Sequence, residues 1–524
     1  MSFISSENRN QLQVLSLEEH IAEHSNVRII DTFIESVDVQ NLGFIIKGKS
    51  SEGRPAFDAV ILCKLYLYGY LNGIRSSRKL DKACKVNIEL WWLLHNQKPG
   101  YKTIADFRKN NQKGFRNLFN VFRQFCISLD LYGKKIVAID GSKFRGQNSM
   151  KNNYNQRKID KQLDYLNQQY DDYSKELDRN DNFDKDNKIK NKLDKRKDKY
   201  DKLQQQLDAT QETQISTTDP DTRALPLHMR IVQVGYNLQS SVDAKHKLIA
   251  EFDITNKNDH RALAPMALKT REAFKLNKSD KLTVLADKGY HTGEQLQQCH
   301  NNNISTLVAV PKRRKQNDNS KPDYLTKENF IFDNKKNNYT CPQGHILQHQ
   351  STYRRKKKGL ITGAPFDRYK MDWNTCRICP HFEQCVSKGN KTRKQGRYID
   401  RVLTDDAIVK NKRMVSRRKK LYRTRQEIVE HPFGTIKRQW GYDHTLMKTT
   451  PKVHTEFSII TLCYNIRRTM SIMGVNQLIN AMKEAFLFIC SATASVKSRV
   501  YNFILLLCLT SHKFTYLRTQ KISG

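Results

Sequence analysis

Ile-Val-Ala-Ile-Asp-Gly-Ser (136–142) and Leu-Thr-Val-Leu-Ala-Asp-Lys-Gly-Tyr-His (282–291) are the stretches on which the reading of this chain turns. Each is a short apolar run closed by an aspartate and a turn residue. That is the pattern of a buried strand delivering a carboxylate at its C-terminal edge. A third acidic motif, Glu-Ile-Val-Glu-His-Pro-Phe-Gly-Thr-Ile-Lys (427–437), carries Glu430, with Lys437 seven residues on. Asp140, Asp287 and Glu430 are hard oxygen donors of the kind Mg2+ or Mn2+ takes. Two such ions roughly 3.5–4 Å apart can activate a nucleophile and neutralise a leaving oxygen, which is what cleavage of a phosphodiester requires.

Charge points to the same substrate. The 524 residues hold 92 Lys+Arg against 53 Asp+Glu, a net charge of +39. A surplus of this size, spread along the chain, predicts a nucleic-acid partner. An anionic membrane is the weaker alternative, because no basic amphipathic helix beside an apolar anchor stands out. The N-terminus, Met-Ser-Phe-Ile-Ser-Ser-Glu, has neither the basic start nor the apolar run of a secretory signal. The most apolar stretch, Val500 to Leu509, is about half the length that crosses a bilayer. These features predict a soluble cytoplasmic protein, nucleoid-associated and without a membrane partner. Its 11 cysteines are then mainly reduced, and clustered ones suggest metal rather than disulfides.

The chain is long enough for several domains. Residues 1–130 read as an N-terminal helical domain, with a dense apolar face over Phe57–Tyr70 and basic residues Arg75, Arg78, Lys79 and Lys82 after it. Thr103-Ile-Ala-Asp106 has capping-box-like spacing. Two readings stay open: a small, helix-turn-helix-like DNA-binding domain with Arg75 and Arg78 on DNA, or an ordinary helical bundle with its charges facing water.

Residues 131–310 alternate strand, strand hairpin, helix, strand, helix and strand, which describes a mixed α/β sheet flanked by helices. An insertion at 151–212 interrupts it. Leu163, Leu166, Tyr170, Tyr173 and Leu177 keep heptad-like spacing there, as do Ile189, Leu193, Tyr200, Leu203 and Leu207. Two such segments around a polar link predict an antiparallel helical hairpin. A basic Cys-rich insertion follows at 311–400, helices return over 401–475, and a tail occupies 476–524.

Within the Cys-rich insertion, Cys341-Pro-Gln-Gly-His345 precedes Cys376-Arg-Ile-Cys379-Pro and Cys385. Cys341, Cys376, Cys379 and Cys385 could complete a structural Zn2+ shell, with His345 or His349 able to replace one thiolate. Free thiols in a basic loop are the other reading. Tyr-Arg-Arg-Lys-Lys-Lys (353–358) offers Arg354 and Arg355 to a DNA backbone. The remaining cysteines, Cys63, Cys463 and Cys508 among them, mostly sit in apolar surroundings and read as small core residues.

Taken in order, the motifs resemble the insertion-sequence DDE transposases, and within them the branch with a Tyr/Arg/Glu/Lys signature. The matching residues are Ala-Ile-Asp-Gly-Ser (138–142), Thr-Asp-Pro-Asp (218–221), Gly-Tyr-Asn-Leu-Gln-Ser-Ser-Val-Asp (235–243), Ala-Asp-Lys-Gly-Tyr (286–290), Val-Glu-His-Pro-Phe-Gly-Thr-Ile-Lys (429–437) and Thr-Leu-Cys-Tyr-Asn-Ile-Arg-Arg (461–468). The resemblance implies an RNase H-like catalytic core in which Asp140, Asp287 and Glu430 hold the metal ions. Lys437 would help to hold the DNA end, and Tyr422 and Arg425 would complete the signature. It implies cleavage at the terminal inverted repeats of an element and joining to target DNA. It also implies two DNA ends held together by a homodimer or higher synaptic complex.

One departure stands out. The signature places three residues between Arg and Glu, whereas four separate Arg425 from Glu430; Arg423 fits only with Glu427, which has no lysine seven residues later. Glu430 is preferred because residues seven apart share a face of an α-helix. Pro432 further suggests that Glu430 sits at a helix start. The alternatives to a transposase are an inactive DNA-binding derivative of one and an RNase H-like nuclease that hydrolyses without joining.

Overall fold

In the computed structural model the strand expected to stop at Asp140 runs on, from Ile136 to Arg145. Phe144, near its far end, is buried, and the cross-strand pairing continues past Asp140. The strand's partner is Val232–Asp243, antiparallel from Val137 opposite Asp243 to Arg145 opposite Gly235. Asp140 is therefore a mid-strand residue, not a C-terminal one. The structure describes residues 16–45, 55–177, 183–226, 232–311, 325–354, 356–357, 360–361, 365–402 and 404–493. They fall into two units, one drawn from residues 1–258, 269–275 and 426–524, the other from 259–268 and 276–425.

In the first unit Val232–Asp243 is the central strand. Its second edge pairs antiparallel with Ile249–Thr255 and with Arg223–Pro226. Gly235 is needed where this strand presses against Ile136–Arg145, since a Cβ there would lie 2.0 Å from the Phe144 carbonyl oxygen. The helix Thr450–Met473 lies along this sheet and is buried on most of its surface. It packs on the helices Gln112–Ser128 and Ala59–Leu71 and on the strand Ile249–Thr255. The polar side chains of the Thr461–Arg468 motif fasten it there. The Asn465 amide bonds both the N–H and the C=O of Ile249, each at 2.9 Å. The Tyr464 hydroxyl donates to Lys247 O at 2.7 Å, and Arg468 donates to His246 O at 2.8 Å.

Before the first strand come helices Asn26–Glu35, Ala59–Leu71, Ser77–Val86, Ile88–Leu93, Tyr101–Asn110 and Gln112–Ser128. Ala59–Leu71 is buried along nearly its whole length, Lys64 included, and the Lys64 ammonium pairs with Asp31 (2.7 Å) and Glu35 (2.5 Å). The helix Tyr101–Asn110 begins after Gly100, so Thr103 lies inside its first turn and is not a cap.

The insertion is a helical hairpin, Gln156–Leu177 and Phe183–Thr210, with Tyr154, Ile159, Leu166, Leu193, Tyr200, Leu203 and Leu207 as its core. Ile189, expected in that seam, is 44% exposed. A two-stranded ribbon, Asn153–Asn155 with Gln214–Ser216, closes the hairpin's base.

The second unit holds a parallel strand pair, Leu282–Ala286 and Ile304–Val308, with the helix Gly293–Asn301 between them. The buried Asn411 amide, on the helix Asp405–Arg417, bonds the N–H and C=O of Val308 at 2.9 and 2.8 Å. The Cys-bearing stretch is a folded antiparallel sheet of five strands among the described residues: Ile331–Asp333, Asn338–Thr340, Ile346–Tyr353, Phe366–Lys370 and Tyr398–Val402. Antiparallel and parallel pairings together give the mixed α/β class read from the sequence.

Glu456 is the strongest test of how the first unit is held. It is fully buried and accepts from the Arg75 guanidinium at 3.2 Å and from the N–H groups of Leu446 (2.9 Å) and Met447 (3.2 Å). Glu456→Ala strands a buried cation and two partly buried N–H donors. We expect it to cost about 3–5 kcal/mol in denaturant unfolding; a loss under about 1 kcal/mol, the size of an exposed pair, would show that Arg75 needs no carboxylate.

Candidate active site

Asp140 stands opposite Ser240 in the strand register, and its Oδ1 accepts the Gly141 N–H at 2.9 Å. Fixing the carboxylate mid-strand, on a paired strand, holds it more rigidly than a loop could. Three residues further along, the Lys143 carbonyl accepts from Lys437 Nζ at 2.5 Å, and that ammonium lies 4.3 Å from the centre of the Phe144 ring. The third motif thus reaches the strand of the first. Largely buried, with Lys143 nearby and only Asp443 opposing, the Lys437 ammonium is pulled down to about 8.

Glu430 lies in the last turn of the helix Lys419–Phe433, with Pro432 inside that helix. The expectation of a helix start at Glu430 is therefore corrected. Proline has no N–H to give to the preceding turn, and the chain widens into a π-helical segment, Gly434–Gln439. The wider turn advances fewer degrees per residue than an α-helix, so Lys437 is carried off the position an α-helix would give it relative to Glu430. Spacing by seven therefore does not by itself put these two residues on one face. Glu430 is exposed and accepts from the Gln426 amide at 2.7 Å. Glu427, its rival, pairs with Lys247 at 3.0 Å. His431 shares a 2.8 Å hydrogen bond with the Tyr464 hydroxyl, and burial lowers its pKa. Tyr422 and Arg425 lie earlier in the same helix, both partly exposed.

Asp287 belongs to the second unit. It directly follows the strand Leu282–Ala286 and caps the short turn Lys288–Tyr290, its carboxylate accepting the Lys288 N–H at 2.6 Å. A strand-edge aspartate was expected there. The other acidic residues near the motifs have structural partners. Asp243 is buried and accepts N–H groups from Gly133, Lys134 and Lys245 at 2.9–3.0 Å. Asp253 pairs with Lys269 at 2.5 Å.

Arg75, expected on DNA, is 7% exposed and turned inward: it bonds His444 O and Glu456 and lies 4.3 Å from the centre of the Tyr442 ring. Its place is corrected from surface contact to internal clamp. Arg78 is exposed beside Tyr101, and Arg354 is exposed at the end of its strand. Arg355 and the apolar run at 500–509 lie outside the described residues. Cys341, Cys376, Cys379 and Cys385 line one pocket. Among the described residues no three His, Cys, Asp or Glu side chains close on a metal-sized point, and no helix is long and apolar enough to cross a membrane.

The Thr-Asp-Pro-Asp motif (218–221) has a structural role in the fold. Buried Asp219 accepts from the Tyr236 hydroxyl at 2.9 Å and from the Thr449 N–H at 3.0 Å, and Asp221 accepts from the Thr450 N–H at 2.7 Å. Both carboxylates cap the start of the helix Thr450–Met473, where free N–H groups and the helix dipole favour negative charge. The signal was legible only as two acids flanking a proline.

Residues 15–110 match a family model described as a transposase domain (DUF772), and residues 232–466 match one described as a transposase DDE domain. No curated protein matches the chain. Among solved structures, a piggyBac transposase synaptic complex with hairpin DNA is similar at 9% identity and a TM-score of 0.32. That likeness covers 96% of this chain and 85% of that one; at that level it carries no weight.

Lys437 makes a prediction that needs no DNA. With its pKa lowered toward 8 in the fold, the unfolded chain binds more protons between that pH and the ordinary lysine value. Stability contributed at this position therefore rises with pH across that window, and the cost of burying the charge is fully present below it. We expect Lys437→Met to stabilise the chain at pH 7 by roughly 1–3 kcal/mol, with the gain shrinking by pH 9.5. A variant less stable than the parent at pH 7 would show that the bond to Lys143 outweighs the burial.

Proposed function

Because the chain belongs to the DDE transposases, we propose that it is the transposase of an insertion sequence. It would cut at the ends of its element and join the freed 3′-hydroxyls to target DNA. One observation supports this above others. Asp287 and Glu430 both fall inside the span matched by the DDE-domain model, and Asp140 sits on a strand hydrogen-bonded to Val232–Asp243, where that span begins.

The donor set fits the metal that such chemistry uses. Three carboxylates, with no nitrogen or sulfur among them, suit Mg2+ or Mn2+. Bound there, such ions would lower the pKa of a water and stabilise the leaving 3′-oxygen. The chain's own part is placement. Asp140 offers a carboxylate from a rigid strand, Asp287 from a strand edge, and Glu430 from an exposed last helical turn. Lys437, fixed against the Lys143 carbonyl, would hold a phosphate of the DNA end. Tyr422 and Arg425, partly exposed on the Glu430 helix, would meet the same DNA, and the exposed Arg78 and Arg354 would contact its backbone. Joining requires two ends in one assembly, so the working form would be a homodimer or larger synaptic complex bound to terminal inverted repeats and target.

The test is Mg2+-dependent cleavage and joining of DNA carrying the element's terminal repeats. Asp140→Asn and Asp287→Asn should each drop both reactions to background while leaving repeat binding within about twofold, since an amide keeps the shape and loses the charge. Undiminished cleavage by either variant would remove that residue from the site.

A further inference from the structure

We propose that Cys341, Cys376, Cys379 and Cys385 form a structural zinc centre that staples the five-stranded module of the second unit. The proposal stands apart from the transposase reading. The four cysteines come from two places in the chain, and the fold brings them to one pocket, with His345 and Arg397 also in its wall.

Each place has the backbone shape of a metal-binding turn. At the first, the Gly344 N–H bonds the Cys341 carbonyl at 2.9 Å, and the Cys341 N–H bonds His345 O at 2.8 Å. Gly344 takes a φ of +86° to close that turn. At the second, the Cys379 N–H bonds the Cys376 carbonyl at 3.1 Å, and the short helix Phe382–Cys385 brings the fourth thiol back.

Arg397 lines the same pocket. Its backbone N–H points at Cys376 Sγ at 3.3 Å, and its guanidinium donates to the Cys385 carbonyl at 3.1 Å. An N–H aimed at the sulfur would support the thiolate that Zn2+ binding creates. His349 is instead engaged with Asp367 at 3.5 Å and packed on the Tyr369 ring.

The module has reason to need a staple. Its core is the cluster Phe330, Tyr339, Leu347, Tyr369, Met371, Cys376, Val386 and Ile399, and two of its strands have only three residues each. Cores this small are commonly secured by a metal or disulfides, and all four cysteines are free thiols here. The sulfurs are not yet gathered on one point. A tetrahedral Zn2+ needs them about 3.8 Å apart, and rotation about χ1 moves a sulfur by about 3 Å. Binding forms four Zn–S bonds and releases the four S–H protons to solvent.

The test uses the full chain and needs no DNA, so its failure would leave the transposase reading where it stands. The chain is stripped with chelator, reconstituted with ZnCl2, desalted, and its zinc measured by mass spectrometry. We expect one zinc per chain, lost in the Cys376→Ser/Cys379→Ser variant and kept in Cys463→Ser and in Asp140→Asn. Because the double variant could fail to fold, Co2+ is also added to the stripped parent chain, where sulfur-to-cobalt charge-transfer bands and a tetrahedral spectrum are expected. Absence of zinc after reconstitution, zinc retained by the double serine variant, a Co2+ spectrum without thiolate bands, or cystine in the freshly purified chain would each overturn the proposal.

Discussion

A long helix surrounded by other elements has to satisfy its polar groups from within the protein, and Thr450–Met473 does so along its length. Asp219 and Asp221 hold its first turn, Glu456 binds Arg75 and the segment leading into it, and Asn465, Tyr464 and Arg468 fasten its far half to the hairpin after Asp243. Each such group left unpaired would cost about 1–3 kcal/mol. The helix also steadies the strand of Asp140, because Phe457 meets Phe144 edge to face at 4.7 Å. The geometry of the first carboxylate thus depends on polar residues more than 300 positions away.

Buried ion pairs change what the net charge of +39 means. Arg75, Arg108 and Arg123 are all buried. Arg108 bonds the Tyr70 hydroxyl and the Arg75 carbonyl, while Arg123 bonds Glu251 at 2.9 Å. The basic residues that made the N-terminal helices look like a DNA-binding surface are in part tertiary fasteners. Exposed cations such as Arg78 and Arg354 remain for an outside partner.

Where local pattern decides structure, the sequence was legible. Short apolar runs closed by turn residues placed the core strands, heptad spacing placed the helical hairpin, and the mixed α/β class followed from the order of elements. The length of the first strand was not, because the continuation past Asp140 is held by cross-strand pairing to residues 235–239 that no local signal encodes. Pro432 was read as a helix start, when the chain instead absorbs it by widening into a π turn. The inward turn of Arg75 depends on a carboxylate 381 residues away, so no window of sequence could show it. Of the candidate site, the identity of the acids was visible, whereas the tie from Lys437 to the Asp140 strand was not.

The ribbon at the base of the helical hairpin has a wider implication. Because Asn153–Asn155 and Gln214–Ser216 pair with each other, the chain leaves and re-enters the sheet at neighbouring points. Whatever lies between them is a loop in the topological sense, however much helix it contains. Relatives could lengthen, shorten or replace this arm without altering the register of a single core strand, leaving one scaffold free to acquire arms of different reach.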